Sequence, residues 1–477
     1  MDTLHVAIVS SPGMGHLIPA LVLAQRLAAH HNVHVTVLVI TVAATSSPPE
    51  TSSCLLHLRH DLIHVLHLPP PDISRLVTPS TPVVAQICLT VRKSLPLIRS
   101  AVAAMDRRPD ALIADFFCTE TAPLAAELAI PKYVYVPSTA WFTALTLHCP
   151  VLDREIKGQY VDQSELIQIP GCKPLRPADV VDPMLDRDAP QYDEYRAMGE
   201  RFLLFDGILL NTWEDLESYT LNALKENEAW RWSIPVHPIG PLTRPVDQVE
   251  EGSNSSSRKL MCWLDRQPEE SVVLVSFGSG GTLSEDQTRE LARGLELSGQ
   301  RFVWVVRPPS GGSADGAFFD SSTGHCSVQM FDFLPEGFQE RVGDRGFLVA
   351  GWVPQAAVLE HRAVGGFVSH CGWNSTLESV TRGVPMVAWP LYSEQRMNAA
   401  LLAEEAGLAL RVSLGVVGGE EVEGLVRGLM GEGQVVVREK VRRLRRSAME
   451  ALKEGGTSHK AMCDLLHTIN LRKATHS

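Results

Sequence analysis

The sequence predicts an α/β protein made of two doubly wound halves, each built on a parallel sheet. Three observations predict it. A chain of 477 residues is too long for one ordinary core and fits two domains of roughly 200 residues each. Short apolar runs alternate with helix-like segments, the pattern of repeated βα units. The alternation stops at a proline-rich and then polar stretch, and resumes beyond it.

In the first half the strand candidates are Val6–Val9, Val33–Ile40, Ala111–Ala114 and Tyr133–Val136, with helix-like Leu17–Ala29 and Thr121–Leu128 between them. Pro235 to Pro245 is rich in proline, and Glu250 to Ser257 is polar, as expected of an exposed linker. After residue 258 the strand candidates are Val272–Ser276, Phe302–Val306, Gly346–Ala350, Gly366–Val368 and Pro385–Ala388. The expected division is residues 1–245, a linker at 246–257, a second domain at 258–455 and a closing helix at 456–477. The stretch from Pro308 to Gly324 reads as a surface insertion.

Hydrophobic content of 45% and charged content of 21% are ordinary globular values. A formal net charge of −12 disfavours nucleic acid and anionic membranes as partners, so a phosphate-bearing ligand has to be held by local dipoles and hydrogen bonds. The first residues lack the basic and long apolar regions of a signal peptide, and no run of about 18 apolar residues occurs. A cytoplasmic protein without membrane insertion, and a monomer, is expected. The nine cysteines are scattered singly without a Cys-x-x-Cys pair, so neither disulfides nor a metal site is expected.

One segment carries chemistry. Strand candidate Gly366–Val368 runs into a small polar turn and then a helix starting near Asn374-Ser375, which brings unpaired backbone N–H groups to one point suited to a diphosphate. His370 and Ser375 add hydrogen-bond donors there, and Glu378, one turn on, suits paired ribose hydroxyls. Trp352 offers a flat face for a nucleobase, and Glu394-Gln395 match neighbouring sugar hydroxyls. Taken singly, each has a plainer reading: a core tryptophan, a satisfied structural histidine, a solvated surface pair.

Taken together, Trp352 to Gln395 closely resembles the signature box of plant secondary-metabolite glycosyltransferases that use uridine-diphosphate sugars (family 1). The resemblance extends to Ser11-Pro-Gly-Met-Gly-His16, Gly207 to Trp213, Pro238-Ile-Gly-Pro241, Trp263-Leu-Asp265 and Phe277-Gly-Ser279. It implies the GT-B fold, two Rossmann-like domains facing across a cleft, with the acceptor held by the N-terminal half and the donor by the C-terminal half. By position it implies that Trp352 stacks uracil, that Gln355 and Glu378 bind ribose, and that His370, Asn374 and Ser375 bind the diphosphate. Trp373, Glu394 and Gln395 would face the sugar, and Ser11, Ser279 and Val353 would add donor contacts. Gln395 with Trp373 resembles the glucose-preferring pattern, so UDP-glucose is the expected co-substrate, with no cofactor and no metal. Ser369 and Glu394 depart from the commoner Thr and Asp while keeping the hydrogen-bonding chemistry.

For the chemical step, His16 follows a glycine-rich turn at the carboxyl end of the first strand, where open α/β sheets bind ligands. Its ordinary pKa near 6.5 suits a general base. Asp115 ends another strand candidate and is expected to orient the imidazole; the plainer alternative is that both cap helices. The acceptor side is less legible: Phe116, Trp141, Phe142 and Leu145 either line an apolar pocket or form core packing. The opening, the insertion from Pro308, and Trp389 to Asn398 are similar to the branch that glucosylates hydroquinone and related phenols. That implies a small aromatic acceptor and a β-glucoside product, with a flavonoid, an indoxyl-type hydroxyl or an aromatic amine as alternatives. Other classes fit poorly. Gly13-Met-Gly15 lacks the third glycine of a dinucleotide fingerprint, Gly278-Ser-Gly-Gly lacks the P-loop lysine, and Asp186-Arg-Asp188 reads as a solvated cluster. A non-catalytic sugar-nucleotide sensor would not need the His16–Asp115 pair.

Overall fold

The computed structural model describes residues 3–42, 60–78, 80–226, 234–245, 255–309, 331–431 and 435–476. Most of the expected linker and of the insertion after Pro308 lies outside them. The chain forms two compact units, Met1–Thr243 together with Ala448–Ser477, and Arg244–Ser447.

The first unit is built on a seven-stranded sheet in the order β3-β2-β1-β4-β5-β6-β7. Its strands are β1 (His5–Ser10), β2 (His34–Ile40), β3 (Ile63–Leu68), β4 (Ala111–Asp115), β5 (Lys132–Val136), β6 (Gly207–Leu210) and β7 (Val236–Pro238), all paired in parallel. β1 and β4 are buried along their whole length because helices cover both faces, which is why they read as unbroken apolar runs. Strand order reverses between β1 and β4, so their carboxyl ends flank a topological switch point, the usual ligand edge of such sheets. Helix α1 (Met14–His31) starts there, and α2 (Ala140–Glu155) follows β5.

The second unit carries a six-stranded parallel sheet, ordered β10-β9-β8-β11-β12-β13. Its strands are β8 (Val272–Ser276), β9 (Arg301–Val306), β10 (Gly346–Ala350), β11 (Val364–Ser369), β12 (Met386–Ala388) and β13 (Ala409–Arg411). The switch point here lies between β8 and β11, where Ser276 pairs with Ser369. Helix α3 (Trp373–Arg382) leaves β11 at this edge, and α4 (Gln395–Ala400) follows β12.

Helix α5 (Val435–Leu452) carries the chain back, and α6 (Thr457–His476) closes it. Met462, Leu465 and Ile469 of α6 are buried in the first unit's core with Leu17, Leu21, Val35 and Ile239. Ser458 anchors the start of that helix by donating its hydroxyl to the Gly240 carbonyl. Every strand expected from sequence is present within two residues of its expected bounds. β3, β6, β7 and β13 were not expected: β3 is half-exposed and histidine-bearing, β7 and β13 are only three residues long, and the four buried residues of β6 stood out only as part of the Gly207–Trp213 motif. No helix among the described residues is long and apolar enough to cross a membrane. Seven described cysteines are free thiols, with Cys262 and Cys463 exposed.

Candidate functional site

In the first unit, β1 ends at Ser10 and the chain turns through Gly13, whose φ of 102° lies outside the range comfortable for other residues. This turn sets His16 in the first turn of α1, with its N–H on the Gly13 carbonyl at 3.1 Å. Asp115 ends β4 on the other side of the switch point. His16 Nδ1 stands 3.0 Å from Asp115 Oδ1, with 19% of the histidine side chain exposed and 1% of the aspartate. The other carboxylate oxygen accepts from Ser11 Oγ at 2.5 Å and from the Phe117 N–H at 3.4 Å. A carboxylate held this way selects the imidazole tautomer protonated on Nδ1, which makes Nε2 the basic nitrogen. Ser11, assigned to the donor from sequence, is fully buried and spends its hydroxyl proton on Asp115; in this structure it supports the His–Asp pair.

Phe117, half-buried, meets the His16 ring edge-on at 4.9 Å. Behind it, Phe116 packs against Phe117, Phe142 and Phe202, and Phe142 against Tyr195. Phe116, Trp141, Phe142 and Leu145 are all buried. The Phe116, Phe142 and Phe202 rings pack together behind Phe117, the ring that meets the imidazole.

The second unit repeats the same construction. β11 ends at Ser369, His370 follows, and Cys371 takes a left-handed φ of 64°. The turn is fixed by Ser369 Oγ, which accepts from the Cys371 N–H at 3.2 Å, and by Asn398 Nδ2, which donates to the Cys371 carbonyl at 2.9 Å. Gly372 caps α3 without a side chain, so the N–H groups of Trp373, Asn374 and Ser375 have no acceptor within the helix and carry its positive dipole end. His370 is buried beside this end, and desolvation, assisted by the Arg307 charge, pushes its pKa down to about 4. It is a neutral imidazole at neutral pH, and its Nδ1 is buried with no hydrogen-bond partner among the described residues. Space for the ring depends on glycine: a Cβ at Gly278 or Gly372 would lie 2.5 or 2.4 Å from His370 Nε2. Ser279 follows Gly278, and its carbonyl accepts from Arg307.

One turn into α3, Glu378 is 2% exposed. Its Oε2 accepts from Gln355 Nε2 at 2.8 Å and its Oε1 from Arg244 Nε at 3.0 Å. Gln355 also donates to Ser375 Oγ at 3.0 Å. Trp352 is 38% exposed, unusual for a residue that normally fills cores, while Val353 beside it is buried. Trp373 is buried at the start of α3 and Asn374 is half-buried. Glu394 caps α4 and accepts from Ser393 and Asn398. Gln395 is buried with its amide oxygen already accepting from the Leu391 and Tyr392 N–H groups, so what it can still offer a ligand is its NH2. Arg244 and Arg307 were missed from sequence, since no motif marks them. Asp186 and Asp188 are exposed, with Arg187 between them bonded to Asp153 and stacked over Tyr160, a solvated cluster.

Two switch points, one with a histidine–carboxylate pair and the other with a helix N-terminus, a buried neutral imidazole and a carboxylate one turn on, define a GT-B nucleotide-sugar transferase. The family described as UDP-glucoronosyl and UDP-glucosyl transferase matches residues 237–445. Anthocyanidin 3-O-glucosyltransferase 5 of Manihot esculenta is 46% identical over 468 residues, 97% of this chain and 94% of that protein. Hydroquinone glucosyltransferase of Rauvolfia serpentina is 40% identical over 470 residues, 97% of each. A solved complex between 3,4-dichloroaniline and a UDP-glucosyltransferase from Polygonum tinctorium capable of glucosylating indoxyl superposes with a TM-score of 0.87 at 36% identity, covering 98% of this chain and 99% of that one. The chain belongs to the plant family 1 UDP-glycosyltransferases.

Proposed function

We propose that this enzyme transfers glucose from UDP-glucose to a hydroxyl of a small phenolic acceptor with inversion, giving a β-glucoside and uridine diphosphate. The observation that carries the reading is the His16–Asp115 pair, held at 3.0 Å with the carboxylate almost wholly buried. His16 Nε2 removes the acceptor proton, the acceptor oxygen attacks C1 of the α-glucosyl group, and the C1–O bond to the diphosphate breaks in the same displacement. Asp115 stabilises the imidazolium that forms. Charge on the leaving diphosphate is met by the first N–H groups of α3, by His370 and by Ser279. Trp352 stacks the uracil, Gln355 and Glu378 hold the ribose, and Trp373, Glu394 and Gln395 face the sugar. This donor assignment leans on the exposure of Trp352 and on the Gln355–Glu378–Ser375 cluster.

The phenolic acceptor is supported by likeness to the hydroquinone enzyme and by the Phe117 ring against His16. A second reading, transfer to an indoxyl hydroxyl or an aromatic amine, is favoured by the Polygonum tinctorium complex. The test is release of uridine diphosphate from UDP-glucose and from UDP-galactose, across a panel of phenols, flavonols, indoles and anilines. Turnover of UDP-glucose with simple phenols, giving the β-anomer by proton NMR, is expected, and His16→Ala should abolish it. Full turnover by His16→Ala, or an α-linked product, overturns the mechanism.

A further inference from the structure

We propose that His31, His459 and Cys463 form a Zn2+ site that clamps the closing helix α6 onto the end of α1. His31 is the last residue of α1, and Asn32 turns the chain away in a left-handed conformation. His459 and Cys463 stand four residues apart on α6 and so share one helix face. The three side chains each bring a ligand atom within 4.8 Å of the others. Cys463 Sγ lies 3.8 Å from His459 Nδ1 and 3.9 Å from Nε2, and the two imidazoles stack at 5.4 Å between centroids.

Independently of this grouping, His31 Nε2 is buried without a hydrogen-bond partner among the described residues, an expensive state for a polar nitrogen that a ligand would relieve. Tetrahedral zinc with Zn–S near 2.3 Å and Zn–N near 2.0 Å sets its ligand atoms about 3.5 Å apart, so side-chain rotations of about 1 Å suffice. Two imidazoles and a thiolate are a borderline-soft donor set, matched to zinc and unsuited to magnesium or calcium. Binding replaces the S–H bond of Cys463 by a Zn–S bond and releases one proton to solvent; water fills the fourth position. At 1.5 Å per residue the site lies about 22 Å along α1 from His16, so it acts on the fold and leaves the chemical step alone.

The test uses the full chain without a histidine tag, under reducing conditions. Co2+ serves as the spectroscopic stand-in, followed by competition with Zn2+ and by thermal unfolding. The expected result is one equivalent of Co2+ giving a thiolate-to-metal charge-transfer band that Zn2+ bleaches, with Tm raised by several degrees at saturating Zn2+. Cys463→Ser should remove the band, and Cys463→Ser and His459→Gln should each weaken Zn2+ at least tenfold while leaving glycosyl transfer unchanged. Both positions are on the surface side of α6, so these variants are expected to fold even where His31→Ala does not. Absence of the band, its persistence in Cys463→Ser, or equal Zn2+ affinity in wild type and both variants overturns the proposal.

Discussion

Asp115→Asn isolates the contribution of one carboxylate while preserving shape. In the wild type, Oδ2 is fixed as an acceptor by Ser11 Oγ and the Phe117 N–H. The backbone N–H can only donate, so the amide oxygen of an asparagine is drawn to that side and its NH2 is turned toward His16 Nδ1. The imidazole would then have to accept at Nδ1 and carry its proton on Nε2, the nitrogen needed as base. A unit charge 3.0 Å from the imidazolium contributes about 5.5 kcal/mol at an effective dielectric constant of about 20, equivalent to roughly four decades of rate. With solvent screening at the exposed face of His16, kcat is expected to fall 10³- to 10⁴-fold with KM for UDP-glucose changed only a few-fold. Steady-state release of uridine diphosphate on whichever phenol the wild type uses measures it, and circular dichroism and Tm confirm that the variant is folded. An Asp115→Asn enzyme within tenfold of wild-type kcat would refute the role given to this pair.

Trp352→Ala should raise KM for UDP-glucose two- to tenfold, matching the loss of about 0.5–1.5 kcal/mol of stacking, with kcat little changed and Trp352→Phe recovering most of it; an unchanged KM removes Trp352 from the nucleotide site. Gly278→Ala puts a methyl 2.5 Å from His370 Nε2 at a φ of +76°, so both Tm and affinity for uridine diphosphate should drop, the latter at least tenfold by calorimetry. If both are retained, the ring does not pack where described. For His370, the unfolded chain takes up a proton near pH 6.5 while the folded one waits until about pH 4. Its contribution is therefore present above pH 6.5 and lost as pH falls toward 4, by up to about 3 kcal/mol. His370→Gln should flatten that part of the stability–pH curve measured by urea unfolding, and curves that stay parallel would exclude it.

β1, β4 and β8 were legible because burial on both faces writes a continuous apolar run. β3 escaped because His64 and His67 interrupt its edge position, β6 because four buried residues are too short a run to stand out, and β7 because it lies in the proline-rich stretch from Pro235 to Pro245 that reads as linker. At the site, a motif announced each residue that sits at a strand end or helix start. Partners brought in from afar were silent: Arg244 meets Glu378 across 134 positions, and nothing in the sequence around either marks the pair. Ser11 was legible as a site residue but not in its role, since only the fold shows that its hydroxyl ends on Asp115. The absence of a paired cysteine motif gave no reason to expect a metal site. Only the packing of α6 on α1 brings His31, from the start of the chain, to His459 and Cys463 near its end.

The placement of α6 also governs the order in which the chain acquires structure during synthesis. Residues 244–447 form a contiguous unit, whereas the first unit needs 448–477 to complete it. The part made first is thus finished last, after translation has run on for tens of seconds at typical rates. Until then the groove that receives Met462, Leu465 and Ile469 stays open to solvent, a window in which nascent-chain chaperones have an apolar strip to hold.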